Sequence, residues 1–163
     1  MIRPEFSRPF RLSALPAAGE EITLKADAAE RAALARRFGL IALDRLEARL
    51  QLRPDAAGGV AVSGRLSARL TQACVVTLEP VVQRIEEAIA FRILPEGQHP
   101  SEDPQAEDEV ESEGGMAELG EVVAQHLSLA IDPYPRAEGA VLPEAATDRS
   151  GSPFAALLRL RRE

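Results

Sequence analysis

Arg45-Leu46-Glu47-Ala48-Arg49-Leu50-Gln51-Leu52-Arg53 is the stretch whose reading decides the fold. Charged or polar residues alternate strictly with apolar ones. A helix would scatter Leu46, Ala48, Leu50 and Leu52 around its circumference; a strand puts all four on one face. Pro54-Asp55-Ala56-Ala57-Gly58-Gly59 follows, with the composition of a turn. The alternation then resumes and runs to Cys74. Val60, Val62, Leu66, Ala68 and Leu70 share one face, and Ala61, Ser63, Arg65, Ser67, Arg69 and Thr71 the other. Gly64 suits a bulge or bend within the apolar face. The two segments read as a long antiparallel hairpin.

The same logic extends outward. Downstream, Thr77-Leu78-Glu79-Pro80 interrupts the pattern. Val81, Gln83, Ile85, Glu87, Ile89, Phe91 and Ile93 then give the inward parity of another strand, stopped by Pro95. Upstream, Phe6 to Leu12 alternates weakly, as a strand or arm. Ile22, Leu24 and Ala26 alternate with Thr23 and Lys25, the mark of a strand. Asp27 with Glu30 forms a capping box for a helix over Ala28 to Phe38, with Gly39 at its end. Met116 to Ile131 returns to helical spacing, with a stripe of Leu119, Val122, Val123, His126, Leu127 and Ala130. Asp132-Pro133-Tyr134-Pro135 ends it. Pro153 to Arg162 has the spacing of a short amphipathic basic helix.

The chain has 163 residues, 45% hydrophobic and 28% charged, as in a soluble domain of ordinary composition. Aromatics are only 4%, which leaves little for a base-stacking surface. The single cysteine excludes an internal disulfide and a Cys-cluster zinc site. The beginning, MIRPEFSRPF, lacks an apolar signal core, and no stretch approaches the ~20 apolar residues of a membrane span. The expected compartment is the cytoplasm. The net charge of −7 is unevenly placed: eight acids and no base fall within residues 96–113, and the remainder holds 18 acids against 19 bases. Residues 96–115 have too little apolar surface to offset ordering entropy and read as a mobile, disordered acidic loop.

No catalytic pattern stands out. There is no HExxH, GxSxG, P-loop or GxGxxG. His99 and His126 have no spacing to a nucleophile or second ligand. Cys74 has no assignable base and reads as a small buried residue at a strand end. The acidic run lacks the ligand spacing and central glycine of a calcium loop. No metal, cofactor or catalytic residue is expected. The informative surface is the polar face of the hairpin, where Arg45, Arg49, Arg53, Arg65 and Arg69 share one parity, diluted only by Glu47. The bases are 18 Arg and one Lys, and guanidinium binds phosphate in planar, bidentate geometry. Arg and Ala richness also follows simply from genomic base composition, and such a face is equally consistent with plain solvation or with cover by another segment. Arg directly opposite Arg costs stability. As a phosphate-binding patch without aromatics, the face would recognise shape and backbone.

Two motifs go beyond composition: Ala73-Cys74-Val75-Val76-Thr77-Leu78-Glu79-Pro80-Val81, and Glu118-Leu119-Gly120-Glu121 continuing through Asp132-Pro133-Tyr134-Pro135-Arg136. With the tail Pro153-Phe154-Ala155-Ala156-Leu157 they resemble the YceD family, the large ribosomal RNA subunit accumulation proteins, and most of all its alphaproteobacterial branch. The resemblance covers nearly the whole chain. It implies a non-catalytic role in accumulation of large-subunit ribosomal RNA. Many members have a second cysteine in a Cys-x-x-Cys-Leu-Glu pattern; Thr77 stands there in this chain, so a metal site on such a pair is not expected. Members commonly have Asp where this chain has Glu118.

The expected fold is α+β: a curved or barrel-like antiparallel sheet of about five strands, with one or two packed helices. One domain spans 1–163, with the acidic loop at 96–115 and a flexible tail at 136–163. The expected function is ribosome biogenesis, by binding large-subunit ribosomal RNA or its precursor through the Arg face. The alternative is an adaptor that holds a basic ribosomal protein through the acidic loop. No membrane partner is expected.

Overall fold

Strand periodicity organises the molecule. The structure, a computed structural model, describes residues 4–103, 105 and 107–142. In chain order the elements are β1 (Pro9–Arg11), β2 (Glu20–Lys25), α1 (Ala28–Arg37), β3 (Ala42–Pro54), β4 (Val60–Ala73), β5 (Pro80–Ile93), β6 (Glu109–Val110), β7 (Met116–Glu118) and α2 (Leu119–Ala130). Strands β2-β3-β4-β5-β6 form a sheet that curls into a half-barrel, while β1 and β7 make a separate antiparallel pair. The expected α+β architecture is present, with one difference. Strand β6 joins β5 in parallel, so the sheet is mixed.

The parities read from the sequence hold. Leu46, Ala48, Leu50 and Leu52 of β3 are buried, as are Val60, Val62, Leu66, Ala68 and Leu70 of β4 and Ile85, Ile89, Phe91 and Ile93 of β5. They join Leu34 and Ala35 of α1 and Leu119, Val122, Val123, Ala124 and Leu127 of α2 in one cluster. Both helices therefore cover the concave face. Each fully buried Leu, Ile or Phe contributes about 1.5–3 kcal/mol of transfer free energy. The capping box is complete: Asp27 accepts from the Glu30 amide at 2.8 Å, and Glu30 accepts from the Asp27 amide at 2.8 Å.

Two elements differ from the sequence reading, each because of a distant partner. Residues 116–118, expected at the start of the second helix, are strand β7 paired with Pro9–Arg11. The acidic stretch contains β6, whose flanks bond to β5: the Arg92 amide donates to the Asp108 carbonyl at 2.7 Å and the Leu94 amide to the Val110 carbonyl at 2.8 Å. Ser112 is buried and donates to the Leu94 carbonyl at 2.8 Å. A parallel pair requires a crossover of a dozen or more residues, and residues 94–108 supply it. The helix expected at 153–162 lies outside the described residues.

Two glycines permit close backbone approaches. A β-carbon at Gly120, in the first turn of α2, would run into the Phe6 carbonyl, so this helix rests directly on the N-terminal arm. A β-carbon at Gly64 would run into the Arg49 carbonyl across the β3–β4 ladder. The β3–β4 register runs regularly through Gly64 and shifts instead between Leu43 and Arg45, so the glycine serves a close backbone approach and not the bulge the sequence suggested. Gly64→Ala is expected to destabilise the fold by about 1–3 kcal/mol, the usual range for overpacking. Urea unfolding measures this, and an unchanged midpoint would mean the strands separate freely at that point.

Candidate nucleic-acid interface

The opposite parity of the sheet faces outward. The register places Arg45 opposite Arg69, and Arg69 opposite Arg84. Two residues further along comes the row Lys25–Glu47–Ser67–Glu86, and two further again Thr23–Arg49–Arg65–Ala88. Of the five arginines singled out from the sequence, four gather around Glu47. Arg53 stands apart at the far end, lining a cleft with Gln51, Ser63, Glu107 and Asp108. Arg84 completes the first row and was not among the five. Its place on the polar parity of β5 was legible, but its alignment with Arg69 depends on register. Arg92 shares that parity but is engaged, with Asp55 at 2.6 Å and Glu109 at 3.5 Å.

Glu47 makes this arrangement tolerable. It is buried beneath its cationic neighbours and lies 3.1 Å from Arg45, 3.4 Å from Arg49 and 3.7 Å from Lys25. Burial opposes its ionisation, but Lys25, followed by Arg45 and Arg49, outweighs this and holds its carboxyl below the ordinary value. Asp44, the extra residue of a bulge in β3, lies 3.9 Å from Arg69. The guanidinium groups still reach solvent, with side chains 59% exposed for Arg45, 71% for Arg49 and 52% for Arg69. Arg65 and Arg84 are exposed and, among the described residues, have no carboxylate within 4.0 Å. Chemically the face presents planar guanidinium forks to solvent, a donor geometry that matches carboxylate or phosphate oxygens.

The two sequence motifs occupy structural positions. In the later one, the Glu118 carboxylate accepts from the Arg8 amide and from Ser7 Oγ, the latter at 2.9 Å. Leu119 is buried, and Glu121 grips Arg37 of α1 through two bonds of 2.9 and 2.7 Å. The earlier motif is a tight turn docked on the later one: the Val75 amide donates to the Pro135 carbonyl at 2.9 Å. At its centre the buried Cys74 Sγ accepts from the amides of Ala137 at 3.3 Å and of Val76 and Thr77 at 3.4 Å each. The Ala137 amide, joined by the hydroxyl and amide of Thr77, outweighs burial and lowers the thiol to about 6. Both histidines are otherwise engaged, His99 with Glu111 at 2.9 Å and His126 against the Phe91 ring at 5.8 Å. Among the described residues no group of three or more His, Cys, Asp or Glu is placed to hold a metal ion. No helix among them is long and apolar enough to cross a membrane.

Fold and surface together define a small α+β half-barrel that displays arginines on its convex sheet face. A family model described as large ribosomal RNA subunit accumulation protein YceD matches residues 62–160, from near the start of β4 onward and over half of the chain. The chain belongs to the YceD family, whose description ties it to large-subunit ribosomal RNA accumulation. No curated protein and no solved structure matches it significantly.

The Cys74 environment gives a signed expectation. An ordinary thiol titrates near 8.5. A group whose folded value is lower adds stability that is complete above about pH 8.5 and is lost as pH falls through about 6. The wild-type protein should therefore gain stability relative to Cys74→Ser between pH 6 and 8.5, measured by urea unfolding across that range. Thiolate absorbance in the native protein should titrate near pH 6. A midpoint near 8.5 would show that the three amides do not hold the thiolate.

Proposed function

We infer that this protein is a non-catalytic ribosome-biogenesis factor that binds large-subunit ribosomal RNA or its precursor through the convex face of its sheet. The observation that carries this reading is the convergence of Arg45, Arg69 and Arg84 in one exposed row and of Arg49 and Arg65 in another. Like charges directly opposite one another destabilise a sheet. Three such pairs on one face are a cost to folding that phosphate binding explains. Phosphate neutralises the groups and releases counterions from the RNA. The family's tie to ribosomal RNA supports the same polymer. Arg53 belongs to this face as an outlying contact.

A second reading rests on the acidic crossover. Glu102, Asp103, Glu107 and Asp108 are exposed and, among the described residues, have no basic partner within 4.0 Å. They suit capture of a basic ribosomal protein, at long range only in low salt.

Replacing Arg45, Arg69 and Arg84 together by Ala should weaken binding to a large-subunit ribosomal RNA fragment. It should also flatten the dependence of log K on log salt by roughly one unit per lost phosphate contact. Filter binding over a salt series measures both, and unchanged affinity and slope exclude this face. Neutralising the four acids to Gln and Asn should leave RNA affinity equal or higher. If the second reading holds instead, the same variant loses association with a basic ribosomal protein in low salt.

A further inference from the structure

The two arginine rows are not a continuous stripe. They lie four residues apart along the strands, about 13 Å at 3.3–3.4 Å per residue. Between them runs a row with two carboxylates, Glu47 and Glu86. The space between the rows is a shallow cleft of about 200 Å³, lined by Arg45, Glu47, Arg49, Arg65, Ser67 and Glu86. Glu47 is covered and ion-paired. Glu86 is exposed, held by a 2.7 Å hydrogen bond from Ser67 Oγ, and has no cation within 4.0 Å among the described residues.

This pattern discriminates between forms of RNA. A single strand crossing the face from one row to the other would lay its phosphates over Glu86, and repulsion opposes that. Single-strand binders also stack bases on aromatic rings, and the outward positions of β2 to β5 hold none. A duplex meets both conditions. Its two backbones run along the two cationic rows, and the groove between them faces the acidic row. In A-form RNA the accessible groove is the wide, shallow minor groove, lined by 2′-hydroxyls. It also carries the guanine N2 amino donor. Those groups donate hydrogen bonds, and an ionised carboxylate only accepts them.

We propose that the convex face binds the minor groove of double-stranded RNA, with Arg45, Arg69 and Arg84 on one backbone, Arg49 and Arg65 on the other, and Glu86 accepting from 2′-hydroxyl or guanine amino donors between them. This rests on the RNA-binding reading above and adds the form of the RNA and a residue that selects it. Glu86 costs affinity for any bare phosphate, and returns it only where donors line the groove.

The test uses the full chain and fluorescence anisotropy at fixed salt, with three probes: an RNA duplex of about 16 base pairs, the DNA duplex of the same sequence, and one RNA strand alone. The RNA duplex should bind about tenfold more tightly than either of the others. Glu86→Ala removes both charge and acceptor, and should cut the RNA-over-DNA duplex preference by about fivefold. Glu86→Gln keeps an acceptor oxygen and should retain most of that preference. Because the readout is a ratio, the general gain from deleting a negative charge cancels. Both variants are at an exposed site, and circular dichroism confirms their folding. Single-stranded RNA binding as tightly as the duplex, with its dependence on Arg45 and Arg69 intact, overturns the duplex assignment and leaves the RNA-binding reading standing. A preference unchanged in Glu86→Ala overturns the role of Glu86. Failure to bind any of the three probes overturns both readings.

Discussion

The two-residue period of the long strands is the constraint on which the rest depends. On β3, β4 and β5 it sends Leu, Ile, Val and Phe to the concave side and nearly every arginine to the convex side. The apolar side must be covered, and the sheet alone cannot do it. Strand β2, both helices and the N-terminal arm serve that end, with Phe6 fully buried and α2 resting on its backbone. The convex side is left uncovered by the described residues. A one-residue slip in either hairpin would exchange the two faces, so burial of the core enforces the placement of the arginines.

That placement has a cost that the molecule offsets locally. Arg45 faces Arg69, which faces Arg84, and Arg49 faces Arg65. Exposed ion pairs contribute little, about 0.2–1 kcal/mol each. Glu47 is different because three cations converge on one buried carboxylate. It ties β2 to β3 and sits between the two rows. The remaining cations, Arg65 and Arg84, are left to solvent and to whatever anion approaches.

The two motifs that mark the family meet in the fold. The turn at Cys74 docks on residues 135–137, through the Val75 amide and through Sγ. The Glu118–Glu121 motif joins the arm to α1 and α2, through Arg8 and Arg37. Arg8 also holds Glu30 by two bonds of 2.6 and 2.9 Å, so the capping residue of α1 serves the arm as well. These motifs carry the closure of the half-barrel at both ends of α2. The arginine face lies elsewhere, on parts of β3, β4 and β5 outside both motifs.

What the sequence determined by itself was local. Alternation assigned the faces of β3, β4 and β5, Asp27 and Glu30 marked the start of α1, and the helical stripe placed most of α2. Arg45, Arg49, Arg53, Arg65 and Arg69 could be put on one face from parity alone. Only the tertiary structure decided what depends on distant partners. Register aligned Arg84 with Arg69 and set Glu86 between the rows, and it left Arg53, on the same parity, at the far end beside Glu107 and Asp108. Pairing with Pro9–Arg11 turned Met116–Glu118 into a strand, and pairing with β5 did the same for Glu109–Val110. The amides around Cys74 come from residues up to 63 positions away. The division has a physical reason. Periodicity and capping are properties of neighbours along the chain, so they leave a trace in composition. Register and closure are set by the burial of the whole concave face at once, and no single segment records them.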